Sequence, residues 1–329
     1  MKWSQSLKNN TSRSLQTAPF IFLGLVLGLV HIQWGFAAHR CIHDAAIHAL
    51  PAPLHGFFKS HRDWIVGHAL DADMRKHAID GEAEKHYIDL DRYGPDSQFS
   101  PEVIPKLWKD AQLLYGDTIE LHGIGPWATM KTYQNLTRAF FHQNETQILR
   151  SATDIAHYIS DLNVPLHTSS NYNGAQTNQD GIHAFWETQL PEQFMSVYRL
   201  TPGSHPNMPR AKYLSNPAET IWKAAFESHL AVDSVLRFET ILRTSMGPEN
   251  SFAYVQRGRT QQRLHSPEFA YRYHQMLDGQ VERRMQQSIF LCASLWYSAW
   301  VDAGQPILAF TKPEQSATYL QRIWSWLSI

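Results

Sequence analysis

The sequence predicts an all-α protein built as a single multi-helix domain. Three observations carry that expectation. Apolar residues recur at helical spacing through most of the 329-residue chain. Few segments alternate with the period of two that strands need. Pro and Gly punctuate the periodic runs, as at Pro51, Pro165 and the Gly304 to Pro306 stretch. No internal repeat and no low-complexity tract is visible. Net charge is -1 and the isoelectric point is near 7, so the chain shows no basic footprint for nucleic acid.

Residues 1–33 read as an export signal rather than as part of the fold. Lys2, Lys8 and Arg13 give a positive start, and an uncharged apolar run follows from Pro19 to Val30. That run has the length of a signal-peptide core and is short for a membrane span. An uncleaved membrane anchor is the alternative. His31 and Gln33 are not the small residues a signal peptidase prefers, so cleavage before Trp34 is poorly encoded. The domain itself is expected over residues 34–329. Export implies an oxidising compartment, in which Cys41 and Cys292 either pair or both stay thiols.

From His39 the residues Ile42, Ala45, Ala46, Ala49 and Leu50 mark a helix that Pro51 ends. His39 and His43 lie four apart, and His43 reads as a partly exposed helix residue. Residues 55–80 read as one further helix, with Asp71 and Asp73 near its end. Residues 84–94, EKHYIDLDRYG, look extended or irregular. Asp89 and Asp91 there either ligate a metal or cap a loop. Helical patterns then cover 105–115, 127–141 and 148–162. Residues 219–243 read as one long amphipathic helix with Ile221, Trp222, Phe226, Leu230, Val235 and Phe238 inward. It carries His229 and Asp233, which read as a buried pair or as support for a ligand. Residues 245–266 read as a polar connection. A last helix is expected over 268–303, with Trp296, Tyr297 and Trp300 in the core.

The chemistry concentrates in residues 157–187, HYISDLNVPLHTSSNYNGAQTNQDGIHAFWE. His157 and Asp161 lie four apart and share one helix face. Pro165 stops that helix, because it cannot donate to the ladder and disfavours helix in the residue before it. His167 follows the break, where the chain can turn its ring back to the same centre. A polar loop rich in Asn, Gln and Gly leads to a second four-residue pair, His183 and Glu187. Imidazole with carboxylate suits zinc, with iron and manganese as competitors. One such pair arises by chance on many helices; two pairs plus a histidine after a Pro-stopped helix point to a metal site.

These residues, together with two earlier motifs, resemble the zinc-dependent phospholipase C and S1/P1 nuclease superfamily. The motifs are WGxxxH from Trp34 to His39, HYIDLD from His86 to Asp91, HYxxDxxxPLH from His157 to His167, and HxxxE from His183 to Glu187. The closing WYSAWVDAGQP is similar in character, so the resemblance spans nearly the whole mature chain. It implies a helical fold of the phospholipase C/P1 nuclease type around three zinc ions. One ion would take Asp71, His86, His157 and Asp161, with Asp73 as the fallback for Asp71. A second would take His167, His183 and Glu187, leaving room for water or substrate. The third would take His39, the other oxygen of Asp161, and the amine and carbonyl of Trp34. That amine, with a pKa of about 8, is free only if cleavage occurs before it.

The implied activity is hydrolysis of a phosphodiester by a water that the ions make nucleophilic, with Asp71 as the base that orients or deprotonates it. Glu187 and the short loop between His167 and His183 are similar to the phospholipase branch. A phospholipid or other small phosphodiester is therefore the expected substrate, with contact to a membrane surface. Single-stranded nucleic acid is the alternative, since Tyr158, Tyr172, Phe185 and Trp186 could stack bases. For Tyr158 and Trp186, packing around the metals is the preferred reading. A third class, a zinc-binding surface protein without turnover, is disfavoured by the open second site.

Overall fold

The computed structural model describes residues 36–93, 104–203, 208–257 and 260–308. The described residues are mostly helical, in keeping with the all-α class. Residues 1–33, where an export signal is expected, and Trp34 lie outside the described residues. Among the described helices, none is long and apolar enough to cross a membrane.

Helix α1 (Phe36–Ala49) buries Ala38, His39, Ile42, His43 and Ala46 on one stripe. His43 is therefore not partly exposed as its spacing suggested; its Nδ1 donates to the His39 carbonyl at 2.7 Å. The single helix expected over 55–80 is three: α2 (Ala52–Ser60), α3 (Arg62–Gly67) and α4 (Asp71–Arg75). His61 and His68 stand at the two breaks. Each donates Nδ1 to a carbonyl four residues back, Phe57 at 2.9 Å and Trp64 at 2.7 Å, in competition with the backbone ladder. The chain then runs irregularly through two short 3-10 turns, Ala83–His86 and Leu90–Arg92.

Two small helices, α5 (Trp108–Tyr115) and α6 (Thr118–Leu121), precede the long pair α7 (Gly125–Phe141) and α8 (Glu145–Asp161). Asn144 caps α8 by accepting from the Gln147 N–H at 3.1 Å. Ile148, Leu149, Ala152, Ile155, Ala156 and Ile159 form its buried stripe. Pro165 ends the run as expected and opens a 3-10 turn, Pro165–Thr168.

Short α9 (Ile182–Ala184) passes into a π-helical turn, Phe185–Gln189, and then α10 (Leu190–Phe194). Pro191 has no N–H to give the Glu187 carbonyl, so the ordinary ladder cannot run through that turn. The long helix expected over 219–243 is broken at Ala231 into α11 (Pro217–Leu230) and α12 (Val232–Met246). Ser228 and His229 are tied to the carbonyls of Leu162 and Thr168, and Leu230 is 75% exposed rather than inward.

After α13 (Pro248–Ser251), strands β1 (Phe252–Arg257) and β2 (Thr260–His265) form an antiparallel hairpin. The expected polar connection over 245–266 is thus partly a sheet. The last helix is also two, α14 (Pro267–Met276) and α15 (Gln280–Asp302), separated by Asp278 and Gly279, both with positive φ.

Helix α15 packs on α1, α7 and α8 and forms the spine of the core. Trp296 is wholly buried, and its indole N–H donates to the Ala152 carbonyl at 2.8 Å. That bond seats α8 one turn before His157; truncating such a residue to Ala typically costs about 3–5 kcal/mol. Cys41 and Cys292 are free thiols, Cys292 fully buried.

Candidate metal centre

Helix α8 delivers His157 and Asp161 on one face, and three other segments bring partners to them. Among the described residues, three groups of side chains stand close enough to hold a metal ion: His39, His157 and Asp161; Asp73, His86 and His157; and His167, His183 and Glu187. Within each group the candidate ligand atoms all lie within 4.8 Å of one another. Seven of the nine site residues expected from sequence are therefore brought together. Trp34 lies outside the described residues.

Asp71 is the correction. It is buried at the start of α4 but belongs to none of the three groups, and Asp73 takes its place. Two residues along a helix turn the side chain by about 200°, so only one of these carboxylates can face the imidazoles. The Asp73 oxygen Oδ1 lies 3.5 Å from His157 Nε2 and 3.9 Å from His86 Nδ1. Lys76 holds the same oxygen at 2.8 Å.

Asp161 is the hub. Its Oδ2 accepts from His86 Nδ1 at 2.7 Å and lies 3.4 Å from His157 Nε2. Its Oδ1 faces His39 Nε2 at 3.4 Å. The rings of His39 and His157 stack at 4.0 Å, 7° from parallel. Two carboxylate oxygens thus face different imidazoles, as a bridging ligand requires.

Backbone carbonyls set the imidazole tautomers. His157 Nδ1 donates to Ala69 at 2.9 Å, His167 Nδ1 to His86 at 2.7 Å, and His183 Nδ1 to Tyr172 at 3.2 Å. In each ring Nε2 is then the atom turned toward the carboxylates. Nε2 of His157 and of His183 is buried and makes no hydrogen bond, although carboxylate oxygens stand 3.4 Å and 3.1 Å away. Nitrogen and oxygen are close but not aimed at each other, the geometry of two ligands converging on a common point. Nε2 of His86 is likewise buried without a hydrogen bond.

The charges in the cluster are strongly coupled. Burial alone would lower His157, but Asp161 and Asp73 raise it to about 9. Burial also opposes the charge on His167, and Asp161 and Glu187 raise it to about 9. Burial would raise Glu187, but His183 and His167 bring it down to about 2. Asp73 and Asp161 stay well below the usual carboxylate range, because His157 outweighs their burial. Burial lowers His39 and His86, leaving them neutral and fit to ligate. Protons on His157 and His167 occupy the positions a divalent cation would take.

The site's outer contacts were only partly visible in the sequence. Asp91 caps the loop after His167, accepting from Ser170 N at 2.9 Å and Ser170 Oγ at 2.8 Å. Asp89 faces His122 at 3.6 Å. Neither joins a metal group. His229 does not pair with Asp233, which binds Arg237 at 3.0 Å. Instead His229 Nδ1 donates to the Thr168 carbonyl at 2.8 Å and steadies the turn that carries His167. Gly123, φ +79, lets the chain before α7 press on Tyr87; a Cβ there would meet the Tyr87 oxygen at 2.3 Å. That contact, with Ile88 N donating to the His167 carbonyl at 2.9 Å, holds the irregular His86 segment against the site.

Tyr158 and Trp186 are packed inside, as expected, while Tyr172 is 59% exposed with its ring 6.0 Å from His183. Buried imidazoles with pinned tautomers and converging carboxylates fit divalent cations, which the clusters could hold. No protein-family model matches the chain, and no curated protein matches it.

Proposed function

We propose that the chain is a zinc-dependent phosphodiesterase of the phospholipase C/P1 nuclease type, acting on a phospholipid or a similar small phosphodiester. The observation that carries this reading is the set of three adjoining His/carboxylate groups, two of them sharing His157. Zinc is favoured by the donor set, which is imidazole and carboxylate without thiolate. Bound divalent ions would supply a water of lowered pKa and neutralise the charge of the phosphodiester.

The chain's own residues then have separate tasks. Asp161, whose two oxygens face different imidazoles, would help to hold cations on either side of it. Asp73, less buried than Asp161, stands where a carboxylate can orient an attacking water. It takes the role expected of Asp71. His183 is the most accessible of the imidazoles in these groups, with its side chain 11% exposed, so substrate enters on that side. Buried Trp186 and Phe185 exclude water from behind Glu187.

A phospholipid is favoured over a polynucleotide by the net charge of -1 and by Glu187 as the last acid. Exposed Tyr172 beside His183 supports the second reading, an S1/P1-type nuclease that stacks a base. The test is a paired assay on phosphatidylcholine and single-stranded DNA, each with zinc and with chelator. Zinc-dependent release of the lipid head group supports the proposal. Cleavage of DNA alone gives the nuclease reading. Bound zinc with turnover of neither substrate leaves a binding protein.

A further inference from the structure

We propose that Arg75 is a positioning residue that holds the Asp73, His86 and His157 group together before a cation binds. The inference rests on the metal-binding reading of these residues and not on the reaction they perform.

Two of the three segments that supply this group are weakly built. Helix α4 has five residues and buries only Asp71 and Ala72. A helix that short is unstable on its own. The Ala83–His86 turn buries only His86. Neither has an apolar face to seat it against α8.

Beyond the backbone contacts at Tyr87 and Ile88, Arg75 supplies the side-chain tie that joins both segments to α8. Its Nε and Nη2 donate to Glu82 Oε1 at 3.1 Å and 2.9 Å. Nη2 also donates to Asp154 Oδ1 at 2.7 Å and to Tyr158 Oη at 3.2 Å. Glu82 in turn accepts from Lys85 at 2.6 Å and from the Tyr158 hydroxyl. Each contact touches a ligand segment. Arg75 is two residues past Asp73, Glu82 and Lys85 lead into His86, and Tyr158 adjoins His157. The Tyr158 ring stands edge-on to the His86 ring at 5.4 Å and 88°.

The Glu82 side chain is 3% exposed. Burial would raise its carboxyl, but Arg75 and Lys85 overcome this and hold it at about 2. Only a planar guanidinium can serve Glu82, Asp154 and Tyr158 together; an ammonium lacks that fork. His167, His183 and Glu187 are held mainly by other means, the Tyr172 carbonyl and the packing of Trp186, and share with the first group only the His86 carbonyl behind His167.

The test uses the full chain, stripped of metal and titrated with Co2+ alone, read by visible absorption and by competition with a chelator. Glu187→Gln assigns the band of the other group. Arg75→Met is expected to weaken the Asp73, His86 and His157 group about 10–100-fold, the usual cost of losing a partner behind a ligand. The His167, His183 and Glu187 group should weaken much less, within about threefold, since only the His86 carbonyl behind His167 lies on a braced segment while the Tyr172 carbonyl and Trp186 are untouched. Arg75→Lys should fall between Arg75→Met and the unmodified protein. Equal weakening of both groups, or no weakening of either, overturns the proposal. Should Arg75→Met lose its helical circular dichroism, Arg75→Lys and Tyr158→Phe decide by the same selective loss. An unmodified protein that binds no Co2+ at either group sinks the metal reading itself. Unmodified protein that binds at both, with Arg75→Met unchanged, removes Arg75 alone.

Discussion

The two halves of the centre are assembled in different ways. His167, His183 and Glu187 come from one stretch of 21 residues, positioned by local turns and by Pro165 and Pro191. His39, Asp73, His86, His157 and Asp161 come from four separate segments that meet only when the chain has folded. Each half has one residue at its edge, His183 with its side chain 11% exposed and Asp73 with 13%, whereas His39, His157 and Asp161 between them are at most 2% exposed. The contrast teaches that one half is set by short-range chain geometry and the other, with its buried hub of His39, His157 and Asp161, only by the fold.

The largest expected effect breaks the buried half. Asp161→Asn removes the carboxylate that faces His39, His86 and His157 at 3.4, 2.7 and 3.4 Å. Phosphodiester turnover should fall about 10²–10³-fold, the usual loss when a preorganised charge is removed from a site. The local half should still hold one ion. A metal count beside kcat/KM checks both, and a variant that keeps its full complement would contradict the hub role.

A second experiment compares two acids on one short helix. Asp73→Asn should lose metal from the buried half, about 10–100-fold in affinity if it is a ligand. Asp71→Asn should leave the metal count unchanged. Titration with Zn2+ against a chelator reads the difference; the reverse result would restore Asp71.

The third turns on protons. His157 and His167 are raised to about 9, so both carry a proton at neutral pH in metal-stripped protein. A raised pKa means the proton is held below 9 and lost as the pH climbs through it. Metal uptake near pH 7 should therefore release about two protons per chain, one from each half, and almost none above about pH 10. Calorimetry in buffers of different ionisation enthalpy gives the number. Release of one proton would show that only one half is charged.

The smallest effect concerns the loop after His167. Asp91→Asn weakens a cap that accepts from Ser169 and Ser170 without touching any ligand. A loss of about 1 kcal/mol is expected for one such bond, seen as a small drop in Tm with the metal count unchanged.

The four-residue pairs and the turn at Pro165 were legible in the sequence because such spacing and proline breaks are short-range signals. His157 with Asp161, and His183 with Glu187, meet as their spacing implied. The choice between Asp71 and Asp73 was not legible, since it depends on the phase of a helix only five residues long. The breaks were not legible because they rest on side-chain bonds: His61 and His68 tie up helix carbonyls four residues back, and Ser228 and His229 before Ala231 bond the distant carbonyls of Leu162 and Thr168. The β1–β2 hairpin was hidden by composition. TQQRLH is polar and mostly exposed along β2, so it gives no apolar alternation to read. The contribution of Arg75 was invisible for a similar reason: Glu82, Asp154 and Tyr158 converge on it from separate segments.

The most direct measurement is anomalous X-ray scattering at the zinc edge from crystals of the zinc-loaded protein. Peaks should lie among Asp73, His86 and His157 and among His167, His183 and Glu187. Zinc found only at surface histidines such as His48 and His55, with both groups empty, would contradict the metal centre and the chemistry assigned to it.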